Sequence, residues 1–181
     1  MLPTDPALLA TIHRLYDDAC AGVLATYARA AGVAAVEPVT GGLAAHAYVS
    51  AVRAAGDGVR VLSLVDADHD ALVDIHPLGR EHAGLLDTAD WCREFNNQLV
   101  GRLKNRLLEV GCCLTSGVPA LVARHELTEL TDPGMAVRTR YVASGGGIAL
   151  TLATWLRPGL AIVPPSPPPD RGVMHAGLVL F

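Results

Sequence analysis

The sequence has few charged residues, few aromatic residues and no run of lysine and arginine. Charged residues make up 18% of the 181 residues, aromatic residues 4%, and the formal net charge is −4. An acidic balance without a basic run argues against nucleic-acid binding, because the phosphate backbone is recognised by clustered lysine and arginine. About half of the residues are apolar (51%), so we expect a globular chain of one domain with a sizeable core.

Long apolar runs and paired cysteine motifs are also absent. No stretch of eighteen uninterrupted apolar residues occurs, and the first residues lack a basic region followed by an apolar core. We therefore expect no membrane span, no signal peptide and a cytoplasmic location. The four cysteines show no C-x-x-C spacing, which argues against zinc or redox sites and predicts reduced, buried thiols.

The longest segment without proline or a turn cluster covers residues 87–111 and has the apolar spacing of an amphipathic helix. Its apolar residues recur every four positions, which predicts one buried stripe. The stripe consists of Trp91, Phe95, Leu99, Leu103 and Leu107. Asp87 is a suitable N-cap, and Gly111 stands where a left-handed C-cap would fall.

The face opposite this stripe carries polar residues that core packing does not explain. Glu94 and Asn97 lie on neighbouring rows of this face, with Gly101 one turn later, whereas Asn96 points toward the buried stripe. A carboxylate beside a carboxamide combines an acceptor for a cation with a group that donates and accepts. Spacing alone leaves two interpretations open: a solvated face, or a rigid functional pair beside a glycine that admits another backbone.

Four residues at fixed spacing extend this pair into a longer motif. They are Asp90, Glu94, Asn97 and, twenty-two positions after the asparagine, Pro119. The motif resembles the signature of the CheC/CheX/FliY family of chemotaxis phosphatases, and residues 91–119 are most similar to the CheX-like branch. One copy of the motif is present, as in that branch, whereas CheC and FliY carry two. The resemblance covers about residues 17–156.

The resemblance implies a phosphatase that hydrolyses the phosphoaspartate of a CheY-like response regulator in two-component signalling. Asn97 would orient the attacking water, and Glu94 would pair with the regulator's lysine. Asp90, a first-turn carboxylate, and Gly101 would belong to the docking face, and Pro119 would shape the turn after the helix. The resemblance also implies a homodimer joined through sheet edges, and no cofactor of its own, because the regulator supplies the Mg²⁺.

The segments around the central helix predict an α+β fold, with a single antiparallel β-sheet and long helices packed on one face. A helix is expected over residues 6–31 with Asp5 as its N-cap, and strands over 44–54 and 59–65 joined by an Asp57-Gly58 hairpin. Further strands are expected over residues 112–115, 120–127, 135–143 and 148–156.

The C-terminal segment departs from the resemblance. We expect residues 1–158 to form the CheX-like domain and residues 159–181 to form a proline-rich tail or an appended strand. The proline run 164–169 is extended, as a stiff linker or as a docking peptide for an SH3-like partner.

An acidic, histidine-containing segment occupies residues 66–76. Its simplest interpretation is the N-cap and first turn of a short helix, where negative charge is favoured. A divalent-metal site is the alternative, because carboxylate and imidazole groups are suitable ligands.

Two alternatives to a phosphatase are open. One is a CheX-like module that binds a regulator or other signalling protein without hydrolysis, and the other is a metal hydrolase that uses this acidic segment.

Overall fold

A computed structural model of the protein describes residues 5–30, 37–39, 48–78, 87–123, 126, 134–144 and 146–160. The α-helices of this part are α1 (Pro6–Ala30), α2 (His69–Asp74) and α3 (Thr88–Glu109). The strands are β1 (Glu37–Val39), β2 (Tyr48–Gly56), β3 (Val59–Ala67), β4 (Thr115–Ser116), β5 (Ala120–Leu121), β6 (Ala136–Ser144) and β7 (Gly146–Leu156). No helix in these ranges is long and apolar enough to cross a membrane.

The seven strands form one sheet in the order β1-β6-β7-β3-β2-β4, and β5 also pairs with β2. Every pairing is antiparallel. The predicted hairpin between β2 and β3 is confirmed: Asp57 and Gly58 both have positive φ, 49° and 80°, as a two-residue turn between twisted strands requires. The long strands β7, β3 and β2 are neighbours in the middle of the sheet, and the helices pack over them.

The helices cover one face of this sheet. Alternate strand residues such as Val52, Val61 and Leu150 join the side chains of α1 and α3 in the main core, while the residues between them, including Leu62 and Ala153, form a smaller cluster apart from it. Because successive side chains of a strand point to opposite faces, this division separates a helix-covered face from the other face. The predicted α+β class, with long helices on one face of a single antiparallel sheet, is confirmed.

Helix α3 begins and ends where its capping residues predict. The Asp87 side chain accepts a hydrogen bond from the backbone N–H of Asp90 at 3.0 Å. At the other end Gly111 has φ +83°, its N–H donates to the Leu108 carbonyl, and the N–H of Cys112 donates to the Leu107 carbonyl. This pair of bonds is a Schellman motif, which ends the helix and satisfies its last carbonyls.

Within the described residues, the strands predicted over 112–115 and 120–127 are much shorter, and residues 124, 125 and 127 of the second lie outside the described part of the chain. Cys112 belongs to the C-cap of α3, and among the described residues 112–123 the strand pairing with β2 is limited to 115–116 and 120–121. Between them Pro119 has no N–H to donate, and the Gly117 N–H bonds to the Arg53 carbonyl at 2.8 Å outside the regular ladder. The chain therefore makes two brief edge contacts rather than two strands.

The interpretation of residues 66–76 as cap and helix is partly wrong. Asp66 belongs to β3, and Asp68, at the N-cap of α2, makes no side-chain capping bond. Its carboxylate accepts instead from the Gly147 N–H at 3.2 Å, so it joins the start of α2 to β7. The helix itself, residues 69–74, is present as predicted.

The expectation of buried thiols holds for three cysteines and fails for the fourth. Cys20, Cys92 and Cys112 are buried, but Cys113 is exposed. The helix stop at Gly111 directs Cys112 inward, and Cys113 then faces outward.

Several predicted segments lie outside the described residues, namely 40–47, 79–86, 164–169 and 173–181, so the division of the chain near residue 158 stays a prediction.

Candidate functional site

The site is carried by the first half of α3, which is held against the sheet by its apolar stripe. Trp91, Phe95 and Leu99 are buried, and Tyr27 of α1 packs edge-on against the Trp91 ring with the centroids 4.8 Å apart. His76 contacts the same indole ring from another side at 4.9 Å. This cluster gives the helix a rigid base, so residues on its outer face keep a fixed direction.

Glu94 and Asn97 lie side by side on that outer face. Glu94 is exposed and Asn97 is half-buried. The Asn97 Nδ2 lies 3.5 Å from one Glu94 carboxylate oxygen, and the other oxygen accepts from Gln98 Nε2 at 2.5 Å. The carboxylate is therefore pre-oriented by two carboxamides while its charge still faces solvent.

Pro119 completes a shallow, open depression together with this pair. It has a volume of about 420 Å³ and is lined by Asp90, Arg93, Glu94, Asn97, Val118 and Pro119. The turn that carries Pro119 is tied to α3, because Lys104 Nζ donates to Ser116 Oγ at 3.1 Å. The four motif residues, which the sequence spreads over thirty positions, are thus brought to one place.

Two lining residues were missed by sequence reasoning. Arg93 forms an ion pair with Asp90 one turn before Asn97, and Val118 is 88% exposed at the rim. The i,i+3 spacing of Asp90 and Arg93 is a signal that could have predicted the pair. For Val118 the only signal is its position directly before Pro119.

Gly101 is half-buried on the same face, one turn after Asn97. Apart from its chain neighbours and the adjacent backbone of its own helix, no described atom lies within 4 Å of the position that a Cβ would take there. The glycine is therefore not needed for packing between the described segments, and a side chain at this position would point into open space.

Charges near the site act on Tyr27. Burial, followed by the negative charge of Glu94, raises the pKa of Tyr27, and the positive charge of Arg102 opposes this in part. Tyr27 is therefore a neutral phenol at neutral pH.

The acidic segment 66–76 does not assemble a second site. Across the described ranges, no three His, Cys, Asp or Glu side chains are grouped as metal ligands would be. His69 Nδ1 lies 3.3 Å from Thr88 Oγ1, and His76 Nδ1 accepts from the Leu78 N–H at 3.1 Å, so both imidazoles serve local structure.

Chemically, the site offers two solvent-facing carboxylates, of which Asp90 is paired with Arg93, together with one carboxamide and an apolar rim. It contains no side chain arranged with a base as a nucleophile would be. It can accept a cation on Glu94 and can orient a small polar molecule with Asn97, in a surface too shallow to enclose a small ligand. This arrangement suits a partner that brings its own reactive group.

Comparisons with solved structures agree on the fold. The chain is similar to a CheC-like superfamily protein from Shewanella sp. PV-4, with 15% identity over 80% of this chain and 97% of that one and a TM-score of 0.63. It is similar to the chemotaxis protein CheX from Vibrio vulnificus, with 18% identity over 78% and 97% of the two chains and a TM-score of 0.61.

A third similar structure is a chain of the CheX–CheY–BeF3–Mg²⁺ complex from Borrelia burgdorferi, with 18% identity, coverage of 78% and 96%, and a TM-score of 0.59. No protein-family model matches the chain, and no curated protein matches it in sequence. At these identities the comparisons establish a CheC/CheX-type fold, as the sequence resemblance implies.

Proposed function

We propose that this chain is a CheX-like phosphatase that removes the phosphoryl group from the phosphoaspartate of a CheY-like response regulator. The observation that carries the proposal is the Glu94–Asn97 pair, which lies on the outer face of a firmly packed helix, in one depression with Pro119. The fold is shared with a chain of a complex that contains CheX, CheY, a phosphoryl mimic and Mg²⁺.

The reaction asks little of the phosphatase, because an acyl phosphate is already activated. Water attacks phosphorus in line, the bond from phosphorus to the aspartyl oxygen breaks, and the products are an aspartate carboxylate and dihydrogen phosphate. A partner protein can therefore lower the activation barrier mainly by orienting the attacking water. Asn97 supplies this: its carboxamide oxygen accepts a hydrogen bond from the water and holds a lone pair toward phosphorus.

Glu94 fixes the register of the complex rather than acting as a base. Its carboxylate pairs with the lysine beside the regulator's phosphoaspartate, and it becomes desolvated only when the two proteins meet. The regulator brings the phosphoryl group and its Mg²⁺ as parts of the substrate. Asp90 and Arg93 form the edge of the docking face, Gly101 keeps it flat, and Val118 with Pro119 offers an apolar rim.

Homodimerisation is a further part of the proposal. In the described sheet the outer positions are held by β1 on one side and by β4 and β5 on the other. Edge strands present unpaired N–H and C=O groups that can pair with a second copy. Light scattering tests this directly: a mass of two chains is expected, and a mass of one chain would contradict it.

The function is tested by the decay of a phosphorylated CheY-like receiver with and without the protein. Wild type is expected to accelerate the decay and Asn97→Ala is not. Asn105→Ala is the matched control, because Asn105 is an exposed carboxamide on the same helix two turns away. Binding to the receiver without any acceleration would instead leave a non-catalytic signalling module, and acceleration by Asn97→Ala equal to wild type would refute the assigned role.

A further inference from the structure

The residue beside Asn97 points the opposite way and makes an unusual set of contacts for a core position. Asn96 has 0% of its surface exposed. Its Nδ2 donates to the Ser50 carbonyl at 2.9 Å and to the Ser63 carbonyl at 3.1 Å, and it lies 3.3 Å from Ser50 Oγ. Its Oδ1 accepts from Ser63 Oγ at 2.7 Å. One buried carboxamide thus joins α3 to both β2 and β3.

Most of the buried contact between α3 and the sheet is apolar, and the Cys92 thiol, 3.8 Å from the Val65 carbonyl, adds a weaker polar contact. The neighbouring buried residues of the helix, such as Phe95 and Leu99, are apolar. Apolar packing is not directional, so on its own it allows a helix to turn slightly about its axis at small cost. Hydrogen bonds weaken steeply when distance and angle change, so a carboxamide held by two strands fixes both the rotation and the depth of the helix.

We propose, resting on the phosphatase function above, that Asn96 is the positioning residue of the site. It sets the direction in which Asn97, the next residue, and Glu94, two residues earlier, face the partner. A rotation of α3 moves the Asn97 carboxamide along an arc at the helix surface. Because in-line attack requires the water within a narrow geometry, a shift of about 1 Å can cost about 100-fold in rate.

The first test replaces Asn96 by leucine, which has the same branched shape, is somewhat larger and makes none of these hydrogen bonds. We expect Asn96→Leu to lower kcat about tenfold or more for a phosphorylated CheY-like receiver, with KM changed less than about twofold. The matched control is Leu107→Ala, which removes a fully buried side chain from the far end of the same helix and destabilises the fold without touching these hydrogen bonds. The kcat of each variant is calculated from the concentration of folded protein. Equal kcat values for Asn96→Leu and Leu107→Ala would overturn the proposal.

Two further variants separate positioning from general stability. Ser63→Ala removes the 2.7 Å hydrogen bond to Oδ1 and keeps both bonds from Nδ2 to the backbone carbonyls, so a smaller loss of kcat is expected. In an Asn97→Ala background, Asn96→Leu should lower kcat no further, because no carboxamide is left to position. An undiminished effect of Asn96→Leu in that background would contradict the proposal.

A readout that needs no activity keeps this proposal separate from the phosphatase function. NMR order parameters of the Asn97 side-chain amide are expected to fall in Asn96→Leu and to stay unchanged in Leu107→Ala. If wild type accelerates no receiver, the phosphatase function fails while this measurement still decides the role of Asn96. Unchanged order parameters in Asn96→Leu would refute it.

Discussion

Replacing Glu94 by glutamine removes one negative charge from the docking face and keeps the shape of the side chain. In the free protein Glu94 is exposed, and the groups that hold its oxygens are the carboxamides of Gln98 and Asn97. Loss of the charge therefore has little effect on folding, because exposed groups of this kind contribute little to stability. Any effect on the receiver must then arise in the complex.

The expected magnitude follows from the change of environment on docking. A hydrogen bond to a charged group contributes about 1.5–3 kcal/mol when both partners leave water. At about 1.4 kcal/mol per tenfold, Glu94→Gln should weaken binding about 10- to 150-fold. The effect should shrink as salt is added, since screening acts on the encounter of the two charged surfaces.

The assay is a titration of a beryllofluoride-activated CheY-like receiver by calorimetry or fluorescence at low and high salt. Glu109→Gln is the control, because Glu109 is an exposed glutamate at the opposite end of α3 that pairs with Arg106. Its affinity should match wild type. A Glu94→Gln variant that binds as tightly as Glu109→Gln would refute the assignment of Glu94 to the regulator's lysine.

Three other outcomes follow from the structure. A Cβ at Gly56 would lie 2.2 Å from the Cys113 carbonyl oxygen, so Gly56→Ala should lower the free energy of unfolding, measured in urea, by about 3 kcal/mol. Gly101 lies within a helix and a Cβ there would meet open space, so Gly101→Ala should raise the same free energy by about 1 kcal/mol. Exposed Cys113 should react with a thiol reagent in the native state, while the other cysteines should react only on unfolding; fast labelling of all four would contradict the burial of three. Burial lowers the pKa of His13 and of His76 below 6.5 in the folded state, so the unfolded chain binds more protons and stability is lost as the pH falls through 6.5. Urea unfolding at about pH 7.5 and about pH 5.5 should show this loss, and substitution of both histidines by glutamine should reduce it.

Local signals were sufficient to predict α3 and the direction of its side chains. The period of the apolar stripe, the Asp87 cap and the Gly111 stop act within a few residues, so they can be evaluated from the sequence. The same period correctly placed Asn96 inward and Glu94 outward. The resemblance of the motif predicted only that Pro119 shapes the turn after the helix, and its position beside Asn97 in the same depression emerged from the structure.

The errors concern contacts between distant segments. The brevity of β4 and β5 depends on how the edge of β2 meets a turn containing Pro119, which apolar patterning does not register. The bond from Gly147 to Asp68 spans 79 residues, and the partners of Asn96 lie 46 and 33 residues away. Such pairings form only when the sheet is assembled. Capping rules applied to residues 66–70 therefore assigned the Asp68 carboxylate to the start of its own helix, whereas it accepts a hydrogen bond from Gly147.

The central claim is that the Asn97 carboxamide orients the attacking water. The most direct measurement is the rate of phosphate release in a single turnover, with the protein in saturating excess over a phosphorylated CheY-like receiver. Saturation removes differences in affinity, so the rate reports the chemical step alone. The account predicts that Asn97→Ala releases phosphate about 100-fold more slowly than wild type. An Asn97→Ala rate equal to wild type would contradict it.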